Sequence, residues 1–171
     1  MQNYFELFDL ETSFFVDDEA LKKAYQAQVT RFHPDNFATK SQAEQLQALQ
    51  NTSLVNSAYT ALKTPLNRAS YLLNLEDVNP FDEKDTNMDA NFLVSQIELR
   101  EQLEGIKEQQ DNLALDDFIE RVQDFIRDNV ASISEAFTQS RDLQEIKTLV
   151  RELKFYEQLN KEANLLIDEW L

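Results

Sequence analysis

The residues able to do chemistry in this 171-residue chain are few in type, and the one conspicuous grouping is His33-Pro34-Asp35. His33 is the sole histidine and cysteine is absent. Thiolate zinc sites, protein-bound iron–sulfur clusters, disulfides, cysteine nucleophiles and multi-histidine metal sites are thereby excluded. Gly105 is the single glycine, whereas phosphate-cradling and dinucleotide-binding loops need several where backbone approaches ligand. Carboxylates are plentiful, but no D-x-[DN]-x-[DN]-G calcium loop is present and nothing marks one acidic pair as buried. A carboxylate-only hydrolase is the most distant reading, and no catalytic residue, metal or cofactor is assigned. The tripeptide alone is equally well read as a structural turn, because Pro34 ends a helix and Asp35 suits the turn after it.

The elements that must hold this turn are helical, since one glycine and three prolines cannot make the turns of a many-stranded sheet. A short aromatic helical segment is expected over 4–10. A second helix, capped by Asp17 or Asp18, should run to Phe32 with Leu21, Tyr25, Val29 and Phe32 as its core stripe. A third should span 41–63 with Val55, Ala58, Tyr59 and Leu62 inward, and Thr64-Pro65 reads as N-cap and first residue of a short helix to Leu75. The turn therefore joins two antiparallel helices. Charge is uneven: the chain carries 16 basic and 32 acidic residues, −2 net over 1–75 and −14 over 76–171. Lys22, Lys23 and Arg31 lie off the core stripe with no acidic residue between Glu19 and Asp35, a positive face that points to an acidic partner or is simply solvated.

The order Tyr4-Phe5-x-Leu7-Phe8, Leu21-Lys22-Lys23-Ala24-Tyr25, His33-Pro34-Asp35 and Asn56-x-Ala58-Tyr59-x-x-Leu62 resembles a J-domain, the module that recruits DnaK-type ATPase chaperones and stimulates their ATP hydrolysis. Asn36 stands where J-domains commonly place lysine. Thr64-Pro65-Leu66-Asn67-Arg68-Ala69-Ser70-Tyr71-Leu72-Leu73 and the acidic helical remainder further resemble the HscB type, a co-chaperone of iron–sulfur cluster assembly. The resemblance implies chaperone contact through His33, Pro34 and Asp35, joined by Lys22, Lys23 and Arg31. Pro34 would hold the turn, Asp35 would offer its carboxylate to cationic groups of the chaperone, and His33 would orient the loop by hydrogen bonding. The chain would be no enzyme itself, the hydrolytic machinery belonging to the chaperone.

Helical periodicity lapses over 76–88, where Asn79-Pro80 breaks any helix and acidic residues cluster, so a linker is expected there between a J-domain over 1–75 and a C-terminal three-helix bundle over 89–171. The first bundle helix, 89–109, places Phe92, Leu99, Leu103 and Ile106 on one stripe. Leu93, Val94, Ile97, Glu98 and Glu101 fall on its side and back, leaving apolar groups where a bundle helix should be polar. The second helix, 116–137, buries an arc from Phe118 to Ile133 that includes Phe125. The third, 141–170, carries Leu143, Ile146, Val150 and Leu153 on one side, with Phe155 projecting away. These apolar exceptions either pack on a neighbouring element or bind a partner. The resemblance implies the second: Leu93, Val94, Ile97, Glu98, Glu101 and Phe155 would hold the IscU scaffold.

The expected function is delivery of that scaffold to an HscA-type chaperone by a monomeric all-α protein. Net charge opposes nucleic acid and anionic lipid as partners, no apolar run is long enough for a membrane span, and the acidic start lacks the features of a leader, so a bacterial cytoplasmic setting is expected. A general co-chaperone for unfolded clients and an adaptor that self-associates through the bundle stay open.

Overall fold

The structure is a computed structural model, and it describes residues 3–82, 84–85 and 89–171. Among these residues every regular element is a helix. The chain divides into two compact units, residues 1–72 and 73–171.

In the first unit α1 (Tyr4–Leu7) is a single turn closed by a reciprocal cap, in which the Asn3 side chain accepts from the Glu6 N–H and the Glu6 carboxylate accepts from Asn3. It ends three residues sooner than the expected segment, because Asp9 takes a positive φ of 54° and turns the chain. Helix α2 (Asp18–Arg31) starts at the Asp17 cap and stops at Phe32. A four-residue 3-10 turn, Pro34–Phe37, follows and leads into α3 (Gln42–Lys63), capped by Ser41. The core between them holds Phe5, Phe8, Leu21, Val55, Ala58 and Leu62, with Tyr25, Val29, Phe32 and Tyr59 half-buried around it.

Helix α4 (Pro65–Leu75) begins as proline and threonine dictate: Thr64 Oγ1 accepts from the Asn67 N–H at 3.2 Å. Its Arg68 is buried, donating from Nε to the Phe14 carbonyl at 2.7 Å and from Nη1 to the Leu62 carbonyl at 2.8 Å. Burial lowers the Arg68 pKa, an effect Asp18 partly offsets. Tyr71, also on α4, accepts from the Tyr4 N–H at 3.0 Å and packs edge-on to Phe5. Loop, α1 and the end of α3 are thus tied to one helix.

The second unit packs α5 (Ala90–Gln109), α6 (Asn112–Thr138) and α7 (Leu143–Trp170) around Phe92, Leu99, Leu103, Phe118, Val122 and Leu159. Helix α6 starts four residues before the expected position. Gln110 adopts the left-handed conformation at φ 50°, and Asp111 at once caps the next helix by accepting from the Ala114 N–H. Phe125, expected inside, is 38% exposed and stacks on Tyr156 with centroids 5.4 Å apart. Asn129, one turn on, is buried, and its Oδ1 has no hydrogen-bond partner among the described residues.

Part of the segment expected as a linker is clasped to α7. Asp85 forms an ion pair with Lys147, its carbonyl accepts from Arg151 Nη1 at 3.0 Å, and the Lys154 ammonium sits 4.3 Å from the Phe81 ring centroid. Residues 83 and 86–88 of that segment lie outside the described residues. Among the described residues no helix is long and apolar enough to cross a membrane.

Candidate functional site

The His-Pro-Asp turn is built by three local events. Phe32 caps α2, Pro34 occupies the first position of the 3-10 turn, and His33 takes the capping role ahead of it, its Nδ1 accepting from the Asp35 N–H at 3.2 Å. The Asn36 N–H closes the turn onto the His33 carbonyl at 2.9 Å. This geometry spends the His33 acceptor on the backbone and leaves the Asp35 carboxylate outward: its side chain is 91% exposed, with His33 Nδ1 at 3.6 Å. A carboxylate presented this way is a ready acceptor for a guanidinium or ammonium of a partner.

Lys22, Lys23 and Arg31 are all exposed on α2, as expected, with the Arg31 guanidinium 5.1 Å from the Phe32 ring centroid. The helix that carries them is locked to α3: the Tyr25 hydroxyl donates to Asn56 Oδ1 at 2.6 Å, and its ring stacks on Tyr59 at 4.1 Å. Basic face and turn are therefore presented on one firmly packed hairpin.

On α5 the structure brings Leu93, Val94 and Ile97 together as an exposed apolar patch, 41%, 53% and 59% accessible. Glu98 and Glu101 are exposed along the same helix. Arg100 supplies the opposite charge, pairing with Glu162 at 2.9 Å while its guanidinium lies 5.5 Å from the Phe155 ring centroid. Phe155 itself does not join the exposed set. It does project away from the Leu143, Ile146, Val150 and Leu153 stripe, but α5 covers it, and with 8% exposure it packs edge-on to Phe92. A helix packed against two neighbours needs a broader apolar arc than one stripe, which a wheel drawn for a single face does not show.

Nearby on α7, burial pushes the Glu152 carboxyl up from its ordinary range and Asp89 adds to the shift. Burial alone pushes up Glu157, and burial together with Glu152 raises the Tyr156 phenol. Sequence reasoning missed Arg100, the cation on α5 that lies over the Phe155 ring. It also gave no role to Asn36, Gln45 and Thr52, whose side chains hold the turn. The signal for Asn36 was its type and place, since asparagine readily bonds local backbone at helix ends.

Residues 3–71 match the family described as DnaJ domain, and residues 88–164 match the family described as HSCB C-terminal oligomerisation domain. The chain is 38% identical over 170 residues to the co-chaperone protein HscB homolog of Vibrio campbellii, spanning 99% of each. Its structure superposes on the chaperone HscB from Vibrio cholerae with a TM-score of 0.89 at 38% identity, covering 99% of this chain and 100% of that one. On the human co-chaperone protein HscB the TM-score is also 0.89, at 30% identity over 96% of this chain and 82% of that one.

Proposed function

The chain belongs to the HscB family of J-domain co-chaperones, and from that premise we propose that it delivers an IscU-type iron–sulfur scaffold to an HscA-type chaperone in the bacterial cytoplasm. The observation that carries the reading is the coexistence of two presented surfaces on one chain: the outward Asp35 carboxylate at the end of a basic helix, and the exposed Leu93, Val94 and Ile97 patch on α5. The J-domain comprises 1–75 and the scaffold-binding bundle 89–171, joined through 76–88. The protein acts as a monomer and performs no catalysis.

The turn docks on the ATPase through His33, Pro34 and Asp35, with Lys22, Lys23 and Arg31 adding attraction to an acidic surface. Binding the hydrolysis-competent conformation of the chaperone better than the resting one shifts that population, and the shift can be no larger than the difference in affinity. Leu93, Val94 and Ile97 form the apolar centre of the scaffold contact, and Glu98 and Glu101 form its polar rim. Phe155 contributes from beneath, by holding α5 in place.

The test is steady-state ATP hydrolysis by an HscA-type chaperone with this protein and the scaffold, singly and together, and with Asp35→Asn as control. Synergy that the variant lacks supports delivery. Stimulation indifferent to the scaffold points to another client, and none at all reduces the turn to a structural one. Light scattering at micromolar concentration separates a monomer from a dimer that buries the patch on a second copy.

A further inference from the structure

The Asp35 side chain is 91% exposed, so its placement depends on what fixes the turn beneath it. Three uncharged side chains do so. Asn36 Nδ2 donates to the Thr30 carbonyl, one of the last in α2, at 2.7 Å. Gln45, in the first turn of α3, reaches back to the Lys40 carbonyl at 3.1 Å and the Ala38 carbonyl at 3.4 Å. The Thr52 hydroxyl lies 3.2 Å from the Phe32 carbonyl, shared with its own helix's Ala48 carbonyl at 2.9 Å. Of these, only Asn36 belongs to the 3-10 turn, directly after Asp35, and its bond is the shortest.

We propose that Asn36 is a positioning residue for Asp35: its side-chain amide pins the turn to the carboxyl end of α2, so that the carboxylate is held in register with the basic face before a partner arrives. The end of a helix leaves its last four carbonyls without intrahelical donors, and Thr30 offers one of them. That carbonyl already takes the His33 N–H at 3.4 Å, and Asn36 adds a shorter bond from six residues on, closing a ring of chain through Arg31, Phe32, His33, Pro34 and Asp35. Without that bond the turn keeps its backbone bonds and the Gln45 and Thr52 contacts at its flanks, but the residues around Asp35 lose the side-chain tether from within the turn, and their ordering must then be supplied at the moment of docking. Preordering of this kind acts on affinity rather than on the bound state. Loss of Asn36 should therefore raise the concentration of protein needed for half-maximal stimulation and leave the saturating rate intact. Removing Asp35 itself should lower the saturating rate.

This inference rests on the chaperone-docking reading for its consequence but not for its geometry, so two measurements are made on Asn36→Ala and on Asn36→Asp, which keeps the shape and turns the donor into an acceptor facing a carbonyl. The first is backbone 15N relaxation of the free full-length protein. Order parameters over 35–37 are expected to fall from about 0.85 toward about 0.6 in both variants, with α2 and α3 unchanged. The second is a titration of stimulated ATPase of an HscA-type chaperone, with a five- to tenfold rise in half-saturating concentration expected and the same plateau. Unaltered order parameters overturn the pinning. A lowered plateau with unchanged half-saturation overturns positioning and makes Asn36 a contact of the activated chaperone. If the unsubstituted protein gives no stimulation, the docking reading falls, and the relaxation data alone decide whether Asn36 pins the turn.

Discussion

The Phe155 ring meets the Phe92 ring edge-on, with centroids 5.7 Å apart and planes at 88°. That contact joins α7 to α5 in the interior of the second unit, with Arg100 lying over the outer side of Phe155. Truncating Phe155 to alanine removes the edge contact and leaves a void that the helices only partly close, a loss of about 3 to 5 kcal/mol by the precedent of buried phenylalanines. Urea denaturation followed by circular dichroism should show the midpoint fall accordingly. A change under about 0.5 kcal/mol, the level of a surface substitution, would mean that the ring is not buried as described.

Leu93 and Ile97 invert this expectation. Both are more than two-fifths exposed, so alanine in either place should shift stability by no more than about 0.5 kcal/mol. Scaffold affinity, read by titration calorimetry, should weaken by about 1 to 3 kcal/mol for each, the range of central apolar contacts in an interface. Wild-type affinity in both variants would move the scaffold contact off α5.

Asp35→Asn preserves shape and removes charge from a side chain that is 91% exposed. Thermal unfolding should be unchanged, while stimulation of the chaperone's ATPase is lost. Retained stimulation in a folded variant would strip the carboxylate of its role.

How much of this was legible in the sequence depended on whether one element or two decided a residue's surroundings. The caps at Asp17 and Thr64 could be read because each acts on its own helix within three residues. The Leu93, Val94 and Ile97 patch could be read because a wheel shows what lies opposite a clear core stripe. Phe155 and Phe125 could not. Each lies between faces, and only the arrangement of three helices decides that one is covered by α5 while the other stacks on Tyr156 near solvent. Gln110 was hidden for another reason: helix ends of this kind usually carry glycine or asparagine, and here glutamine occupies the left-handed position.

That substitution of habit has a measurable cost. Asp9, Asp77, Gln110 and Arg141 all hold positive φ in a chain whose single glycine stands instead inside α5. A left-handed conformation costs a residue with a β-carbon about 1 to 2 kcal/mol, and glycine in a helix interior costs about 1 kcal/mol relative to alanine. A β-carbon at Gly105 would meet nothing within 4 Å. Gln110→Gly and Gly105→Ala should therefore each stabilise the protein by about 0.5 to 1 kcal/mol, read as a higher urea midpoint with an unchanged slope. A lower midpoint for Gly105→Ala would show that a β-carbon there meets an obstruction rather than open space.

Glu152 and Glu157 give the second unit a pH dependence whose sign is fixed by burial. Desolvation raises both carboxyls in the native state, and Asp89 raises Glu152 further. The native protein thus keeps these protons to a higher pH than the unfolded chain does, so stability must fall as pH rises through the interval between the two. Their contribution is complete below the ordinary carboxylate value of 4.5 and is lost once pH passes the raised native values. The Glu152→Gln, Glu157→Gln double variant should behave as the protonated pair throughout, so its stability advantage over the unsubstituted protein should be near zero at the acid end and grow toward neutrality. Urea midpoints measured from pH 4.5 to 7.5 check this directly. An advantage that stays constant across the range would show that the two carboxyls titrate alike in the folded and unfolded states, with both groups in water rather than held against α7's apolar neighbours.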